Sequence, residues 1–525
     1  MILKGLFITL VLFCNYNICL SQTPAELVQE GKYEEAITAY HKAVEESPAN
    51  QAKARLHKEL GDLYASRGNF KEAGREFVKA LSLSREFSEN DRLQMATRMS
   101  WGKWFEEAIQ QLQILLAENP KNLAARIQLA RVMAWSGRFK DSLRETDKIL
   151  EAHPGHKDAL LVRANALRWQ GQLGRAITIY RGILEKEEDF DARLGLSHAY
   201  LSAGNMKAAK ENRNFLKPQY SYQEKDLTQL HLDMDKAMKP FLGAGYSYYA
   251  DTEDNRVYRY FSVFGFWLDN WKLDLNYRHT DAKDNARNTA VEELSFKAYS
   301  KPKEFLGLGG GVGLVQFRNA ATADFLTWNI KGDVNLWNGV AGLSLSGEGF
   351  TDTAQLVTNE IRTTSLHLSI SQRLTDRFSL AAAHSYRNYS DGNDVNDFRL
   401  SPVYSVLTKN PTINLGYRFR YLNFNRQSGS GFFDPNDFIS NQIFISLNFE
   451  HERFYFYIEP YGGYQSFRRY GENKADFFGG GSGVLGLNLS KKILLEANAE
   501  GGNYAMGAAA GFSYYWVGLR LQLSF

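Results

Sequence analysis

The residues best suited to chemistry lie beyond residue 240, where His279, His367, His384 and His451 occur and Ser385 directly follows one of them. A serine, a histidine and a carboxylate or amide converging on a lipid-facing rim would make an acyl hydrolase or acyltransferase. Adjacent residues of a strand point to opposite faces, so His384 and Ser385 cannot act as a local pair. The chain contains no G-x-S-x-G elbow, no H-E-x-x-H zinc helix and no phosphate-cradling glycine loop. No catalytic residue, metal ligand or cofactor is expected, and an enzyme reading stands only as a less favoured class.

A second set carries charge at every other position. Asp274, Arg278, Glu293, Lys297, Arg418, Arg420, Lys492, Glu496, Glu500 and Arg520 all fall on the polar phase of alternating segments. As the lining of a pore they would make a polar wall of both signs, with no single-sign field to select ions. A neutral or zwitterionic polymer passes such a wall by exchanging hydrogen bonds with it. Equally, the charges can pair and stiffen the structure. A third set, Arg55, Lys58, Arg131, Trp135, Arg168 and Trp169, belongs to a helical region and falls near a groove when helix phase is taken from the glycines. It suits a periplasmic protein partner with an acidic segment, or a glycan whose sugar faces stack on the rings. The plain alternative is a solvated basic face with two packing tryptophans.

The elements that must position these residues follow from two periods. From Pro240 to Phe525 apolar and polar residues alternate, as in Leu519, Leu521, Leu523 and Phe525 against Arg520, Gln522 and Ser524. Tight breaks fall at Asp269-Asn270, Lys301-Pro302-Lys303, Asn338-Gly339, Thr375-Asp376, Lys409-Asn410, His451-Glu452 and Lys491-Lys492. Longer polar loops are predicted at Asp281 to Thr289, Thr351 to Glu360, Arg426 to Asn436 and Phe467 to Asp476. Short turns on one side and long loops on the other predict a transmembrane antiparallel β-barrel of about 16 strands. Trp267, Trp271 and Trp337 beside the short turns fit an aromatic girdle at the membrane interface. A large soluble all-β domain is the alternative, but it would need a second sheet over the outward aromatics.

From Thr23 to Leu216 the period becomes helical and the chain repeats about every 34 residues, the tetratricopeptide (TPR) spacing. One unit reads Gly31, Tyr33, Ala36, Tyr40, Ala43, Pro48; another reads Leu60, Gly61, Tyr64, Gly68, Phe70, Ala73, Phe77, Ala80. Small residues at the Ala positions let paired helices approach, and stacking covers the face each pair leaves bare. Six units are expected, the first lacking part of its leading helix and the sixth degenerate. The predicted fold is thus multidomain, an all-α TPR superhelix followed by the barrel. The divisions are a signal peptide at 1–21, the repeats at 22–216, a polar linker at 217–239 in which Leu227, Leu230, Leu232 and Met234 suggest a short helix or a first extended arm, and the barrel at 240–525.

The leader consists of Lys4, the apolar Gly5 to Phe13, and Cys-Leu-Ser before Gln22. Both cysteines, Cys14 and Cys19, lie inside it, so no disulfide or cysteine-ligated metal is expected after export. A lipoprotein cleaved before Cys14 is a weaker alternative, because Phe13 is bulky. No stretch outside the leader is apolar over the roughly 18 residues of a membrane helix, and a barrel needs none. The net charge of +3 without a basic run excludes nucleic acid as a partner. Aromatic residues make up 14% of the chain, and most lie beyond residue 240, as lipid-facing rings require.

The order of a TPR solenoid and a C-terminal barrel resembles the outer-membrane exporters of secreted polysaccharides, the PgaA and BcsC type. The barrel looks like the YaiO family, through the opening Gly243-Ala-Gly245-Tyr-Ser-Tyr-Tyr249 with Asp251, and the loop Gly431-Phe-Phe-Asp-Pro-Asn-Asp-Phe438. The solenoid is shorter than in the cellulose exporters. A terminal Phe525 after alternating apolar residues resembles the signature read by the outer-membrane assembly machinery. The resemblance implies passive work: periplasmic repeats recruit a synthase complex or polymer, and the barrel gives a polar route through outer-membrane lipid. A periplasmic scaffold merely anchored by a plugged barrel is the other reading.

Overall fold

The computed structural model describes residues 22–318, 324–336, 338–503 and 513–525. The leader and Trp337 therefore lie outside the described residues. Two compact units divide the chain, one reaching Ala166 and the other running from Leu167 to Phe525.

Six successive helix pairs make up the repeats among the described residues. They are α1 (Pro24–Gln29) with α2 (Tyr33–Glu46), α3 (Asn50–Ser66) with α4 (Phe70–Leu83), and α5 (Glu89–Trp101) with α6 (Phe105–Glu118). The rest are α7 (Leu123–Trp135) with α8 (Phe139–Ala152), α9 (Lys157–Trp169) with α10 (Leu173–Leu184), and α11 (Phe190–Ala203) with α12 (Met206–Asn214). The turn inside a pair needs a left-handed residue, supplied by glycine at Gly137 (φ 85°) and Gly171 (φ 87°). In the third pair Lys103 takes that conformation at φ 66°. Ala36, Ala73, Ala108, Ala176 and Ala209 are fully buried where helices approach, and Ser142 takes the same place in the fourth pair. In the first unit, Phe77, Met95, Met99, Leu112 and Leu115 form one continuous core.

Of the two forms expected for the connector, a short helix or an extended arm, the chain takes the helix, α13 (Ser221–Met238), packed on α11 through a face that buries Leu230 and Met234. The helical region thus runs to Met238. Its polar composition left the extended alternative open, because only a narrow stripe of α13 is covered.

The barrel opens with β1 (Phe241–Asp251), β2 (Arg256–Leu268), β3 (Trp271–Lys283) and β4 (Asn288–Lys303). Next come β5 (Leu306–Arg318), β6 (Phe325–Leu336), β7 (Gly339–Gly349) and β8 (Arg362–Arg373). Then follow β9 (Phe378–Tyr389), β10 (Asp394–Leu407), β11 (Thr412–Phe424) and β12 (Asn436–Glu450). The last are β13 (Phe454–Arg469), β14 (Glu472–Asn488), β15 (Ile493–Gly502) and β16 (Tyr514–Ser524). Each pairs antiparallel with its sequence neighbours, and β1 closes on β16 from Phe241↔Ser524 to Asp251↔Tyr514. Closure satisfies every edge, and the 16 strands agree with the expected number.

Register sorts the side chains. Val517, Leu519, Leu521 and Leu523 project outward, and Leu343, Leu345, Leu368, Ile370, Ile443 and Ile445 continue the exposed apolar band. Trp271 belongs to the outer face, 45% exposed. Trp267 does not: it lies opposite Lys272 on the inner phase, because three consecutive apolar residues end β2 and the strand can turn only alternate ones outward. On β5, Gly307, Gly309, Gly311 and Gly313 face inward. A Cβ on Gly311 would lie 2.8 Å from the Phe296 carbonyl oxygen, so the small residues relieve crowding at the inner wall.

The turn after β4 falls at Glu304-Phe305, one step beyond the predicted Lys301-Pro302-Lys303, which lies in β4 as a register shift. At the other end the predicted loop Asp281 to Thr289 shrinks to residues 284–287. The predicted loop Phe467 to Asp476 is a tight hairpin: Arg469 pairs Glu472 across Tyr470-Gly471. The loops of 350–361 and 425–435 are long, and the first carries α14 (Ala354–Thr358), capped by the Thr353 hydroxyl.

Candidate functional site

The inner wall surrounds a cavity of about 780 Å³. Five arginines reach it, four of them from three neighbouring strands (Arg387 on β9, Arg399 on β10, and Arg418 and Arg420 on β11) and the fifth, Arg278, from β3. Asp397 sits among them. Its carboxylate takes a fork from Arg399 (Nη2 at 2.6 Å) and a second fork from Arg420 (Nε at 3.0 Å, Nη2 at 2.9 Å). Two bidentate guanidinium clamps on one carboxylate fix its geometry more tightly than point charges would. Arg418 reaches past β12 to Glu459 on β13 at 2.8 Å, with its guanidinium 4.0 Å from the Phe444 ring centre. Tyr514 donates to Glu500 at 2.6 Å. The arrangement is a polar, mixed-sign wall suited to polar or dipolar groups, with four of its five arginines gathered on one arc and Glu348, Glu459 and Glu500 also lining it.

The long-loop end of the lumen is filled by a plug. Loops 350–361 and 425–435 fold inward and join: Gln355 donates to the Gly429 carbonyl at 2.9 Å, and Asn359 to that of Ser430 at 3.0 Å. Phe432 stacks on Tyr389 with ring centres 4.4 Å apart, and Phe432, Phe433, Phe438 and Leu356 are almost wholly buried. On its other side α14 seats Ala354 and Val357 against Val257, Val291, Val315 and Phe325. The two clusters draw residues from β1 to β6 and from β9 to β14. Asp434, fully buried, accepts from the Ser428 amide at 2.6 Å and from Arg469 at 3.2 Å, and Arg259 holds Asp352 at 2.6 Å.

Nine of the ten predicted wall residues stand on the inner phase. Arg278 pairs with Glu293, and Glu496 accepts from Tyr455 two strands away. Lys297 lies opposite Asp274, whose Oδ1 is buried without a hydrogen bond among the described residues, and Arg520 Nε is likewise unpartnered. Lys492 is the exception. It is exposed in the turn between β14 and β15, because the alternation was carried past the end of the strand. Among the described residues the ion pairs of Arg278, Arg418 and Arg420 run between neighbouring or next-neighbouring strands.

In the helical region Arg55 is exposed on α3. Lys58 is occupied, 3.0 Å from Asp62 and 3.2 Å from Asp91. Burial opposes its charge, but those two carboxylates outweigh burial and raise its pKa above the ordinary lysine value. The Ser88 hydroxyl and Lys58 hold Asp91 below the usual carboxylate range against partial burial. Arg131 on α7 donates to Gln128 at 3.2 Å. Arg168 lies 5.2 Å from the ring centre of its own neighbour Trp169. Trp135 and Trp169 are 37% and 40% exposed, so neither is core. Sequence reasoning missed Trp101, which ends α5 as Trp135 ends α7 and is 50% exposed. The repeat period itself marks it.

Also missed were Arg387, Asp397, Arg399, Glu459 and Tyr514. Their alternation is as regular as that of the predicted set, and Asp397 with Arg399 could have been read from their two-residue spacing. His384 and Ser385 do face opposite ways, but Ser385 meets His367 Nδ1 from β8 at 2.7 Å on the inner wall. Among the described residues no carboxylate forms an ion pair with His367, and no group of three or more His, Cys, Asp or Glu is placed to hold a metal ion. No described helix is long and apolar enough to cross a membrane.

Tetratricopeptide-repeat family models match residues 26–86 and 105–166. No curated protein sequence matches the chain. Among solved structures it is similar to a bacterial polysaccharide outer membrane secretin, at 10% identity and TM-score 0.45 over 55% of this chain and 98% of that one. It is also similar to CdiB from Acinetobacter baumannii, at 15% identity and TM-score 0.37 over 55% of this chain and 60% of that one. A tetratricopeptide repeat protein from Parabacteroides merdae aligns at 20% identity and TM-score 0.34, over 41% and 83% of the two chains. The chain is thus a helical tetratricopeptide-repeat region, within residues 24–238, followed by a closed antiparallel barrel of 16 strands.

Proposed function

We propose that this chain is an outer-membrane export protein, with its barrel in lipid, its repeats in the periplasm, and a secreted polysaccharide as cargo. The observation that carries the reading is the inverted barrel wall, apolar outside and mixed in charge within. An outward band of bare leucine, isoleucine and valine is stable in hydrocarbon and a liability in water. The short-turn end faces the periplasm, where the helical chain enters the barrel, and the long loops face outward. The mixed-sign lumen suits a neutral or zwitterionic polymer, in keeping with the resemblance to PgaA- and BcsC-type exporters and to the YaiO family. The repeats offer the exposed Trp101, Trp135, Trp169 and Arg55 to a synthase component or to the polymer itself. The work is transport, with no bond made or broken by this chain.

The buried plug favours a second reading, in which a sealed barrel anchors a periplasmic scaffold. Single-channel recording in planar bilayers separates the two. The mature protein should conduct poorly, and the Phe432→Ser/Phe433→Ser variant should hold a steady open pore. If that variant and one lacking residues 350–361 both stay as silent as the parent while folded, export through the lumen is lost and the scaffold stands.

A further inference from the structure

We propose that the outer face of β2 and β3, at the long-loop end, holds the phosphate of a phosphorylated membrane lipid between Arg256 and Lys283. The inference rests on the membrane reading above and is independent of any cargo.

Arg256 and Lys283 are direct cross-strand partners, and both are exposed on the outward phase. Like charges directly opposite in a ladder repel, so the pair weakens the sheet unless an anion lies between them. The nearby carboxylates are otherwise engaged. Asp281 lies 3.3 Å from His279, Glu292 is bound by Arg318, and loop residue Asp284 is held by Arg287 at 2.8 Å. Among the described residues neither Arg256 nor Lys283 forms an ion pair. Lys283 instead extends its ammonium 5.9 Å from the Tyr258 ring centre.

Depth favours a lipid. The next row toward the barrel middle is aromatic, with Tyr248 and Tyr258 in contact at 5.0 Å between ring centres, and Tyr246 and Tyr260 below them at 5.2 Å. Tyrosines of this kind mark the level where hydrocarbon gives way to headgroups. Two residues further along the strand, a rise of about 7 Å, the two cations reach the depth of the phosphates. A guanidinium fork and an ammonium together match the several acceptor oxygens of one phosphate monoester.

The test uses the full mature chain in phosphatidylcholine nanodiscs containing bisphosphorylated lipid A, with retained lipid counted by native mass spectrometry. Wild type and Arg256→Lys should retain lipid A, and Arg256→Gln/Lys283→Gln should retain roughly thirtyfold less. Lipid A stripped of its phosphates should bind wild type as weakly as it binds the double variant. Heat-modifiable migration in gels shows that each barrel is folded. Equal retention by a folded double variant overturns the site, and so does full displacement by millimolar inorganic phosphate, which would make the ligand a free anion. A chain that does not enter nanodiscs sinks the membrane reading and this site with it, whereas a silent pore leaves the site standing.

Discussion

The helical region and the barrel solve the same burial problem in opposite directions. In the repeats the large apolar residues point inward, and Phe77, Leu112 and Leu115 are fully buried. In the barrel wall Leu519, Ile443 and Leu343 are about half exposed, while Asp397 and Glu459 are buried on the inside. One chain thus carries two hydrophobicity rules, and the period of the pattern, 3.6 against 2, decides which applies. The teaching is that a residue's burial records which medium its face meets. The plug then inverts the rule a second time, because Phe432 and Phe433 return an apolar core to the inside of a polar tube.

Three substitutions break or sharpen that contrast, ordered by expected effect. Phe77→Ala empties a fully buried site between paired helices and should cost about 3–5 kcal/mol in the helical region. Urea melts followed by helical circular dichroism should show that loss while the barrel keeps its heat-modifiable migration. Leu519→Arg, at an outward position, should cost about 2–4 kcal/mol when the barrel is folded into vesicles. A cost near zero would mean that the outer face meets water. The smallest effect is a gain. The Ser142 hydroxyl is fully buried without a hydrogen-bond partner among the described residues. Ser142→Ala should therefore stabilise the repeats by about 1 kcal/mol, seen as a raised urea midpoint with unchanged slope.

Most of the fold was legible because its signals are local. The alternation around Arg418 and Arg420 gives their face whatever the neighbouring strands do, and tight turns mark where each hairpin reverses. Legibility failed where the medium stopped imposing a pattern. At the far end of β13 and β14 polar residues fall on both faces, Arg468 beside Arg469 and Glu472 beside Asn473, so Phe467 to Asp476 lost its alternation although the ladder continues to Arg469 and Glu472. Lys492 shows the reverse error, a phase extended into a turn that has none. Helix α13 is covered along only one stripe, so its leucines suggested a helix without deciding it against an extended arm.

By itself, then, the sequence determined the two periods, the hairpin order, the strand number and the side that every predicted wall residue except Lys492 would take. Only the tertiary structure decided that Asp397 is clamped by two arginines, that Ser385 meets His367, and that two loops meet inside the mouth. The reason is range. Which face a side chain takes depends on its immediate neighbours along the strand, whereas Gln355 finds Gly429 only after strands far apart in sequence have closed into a ring.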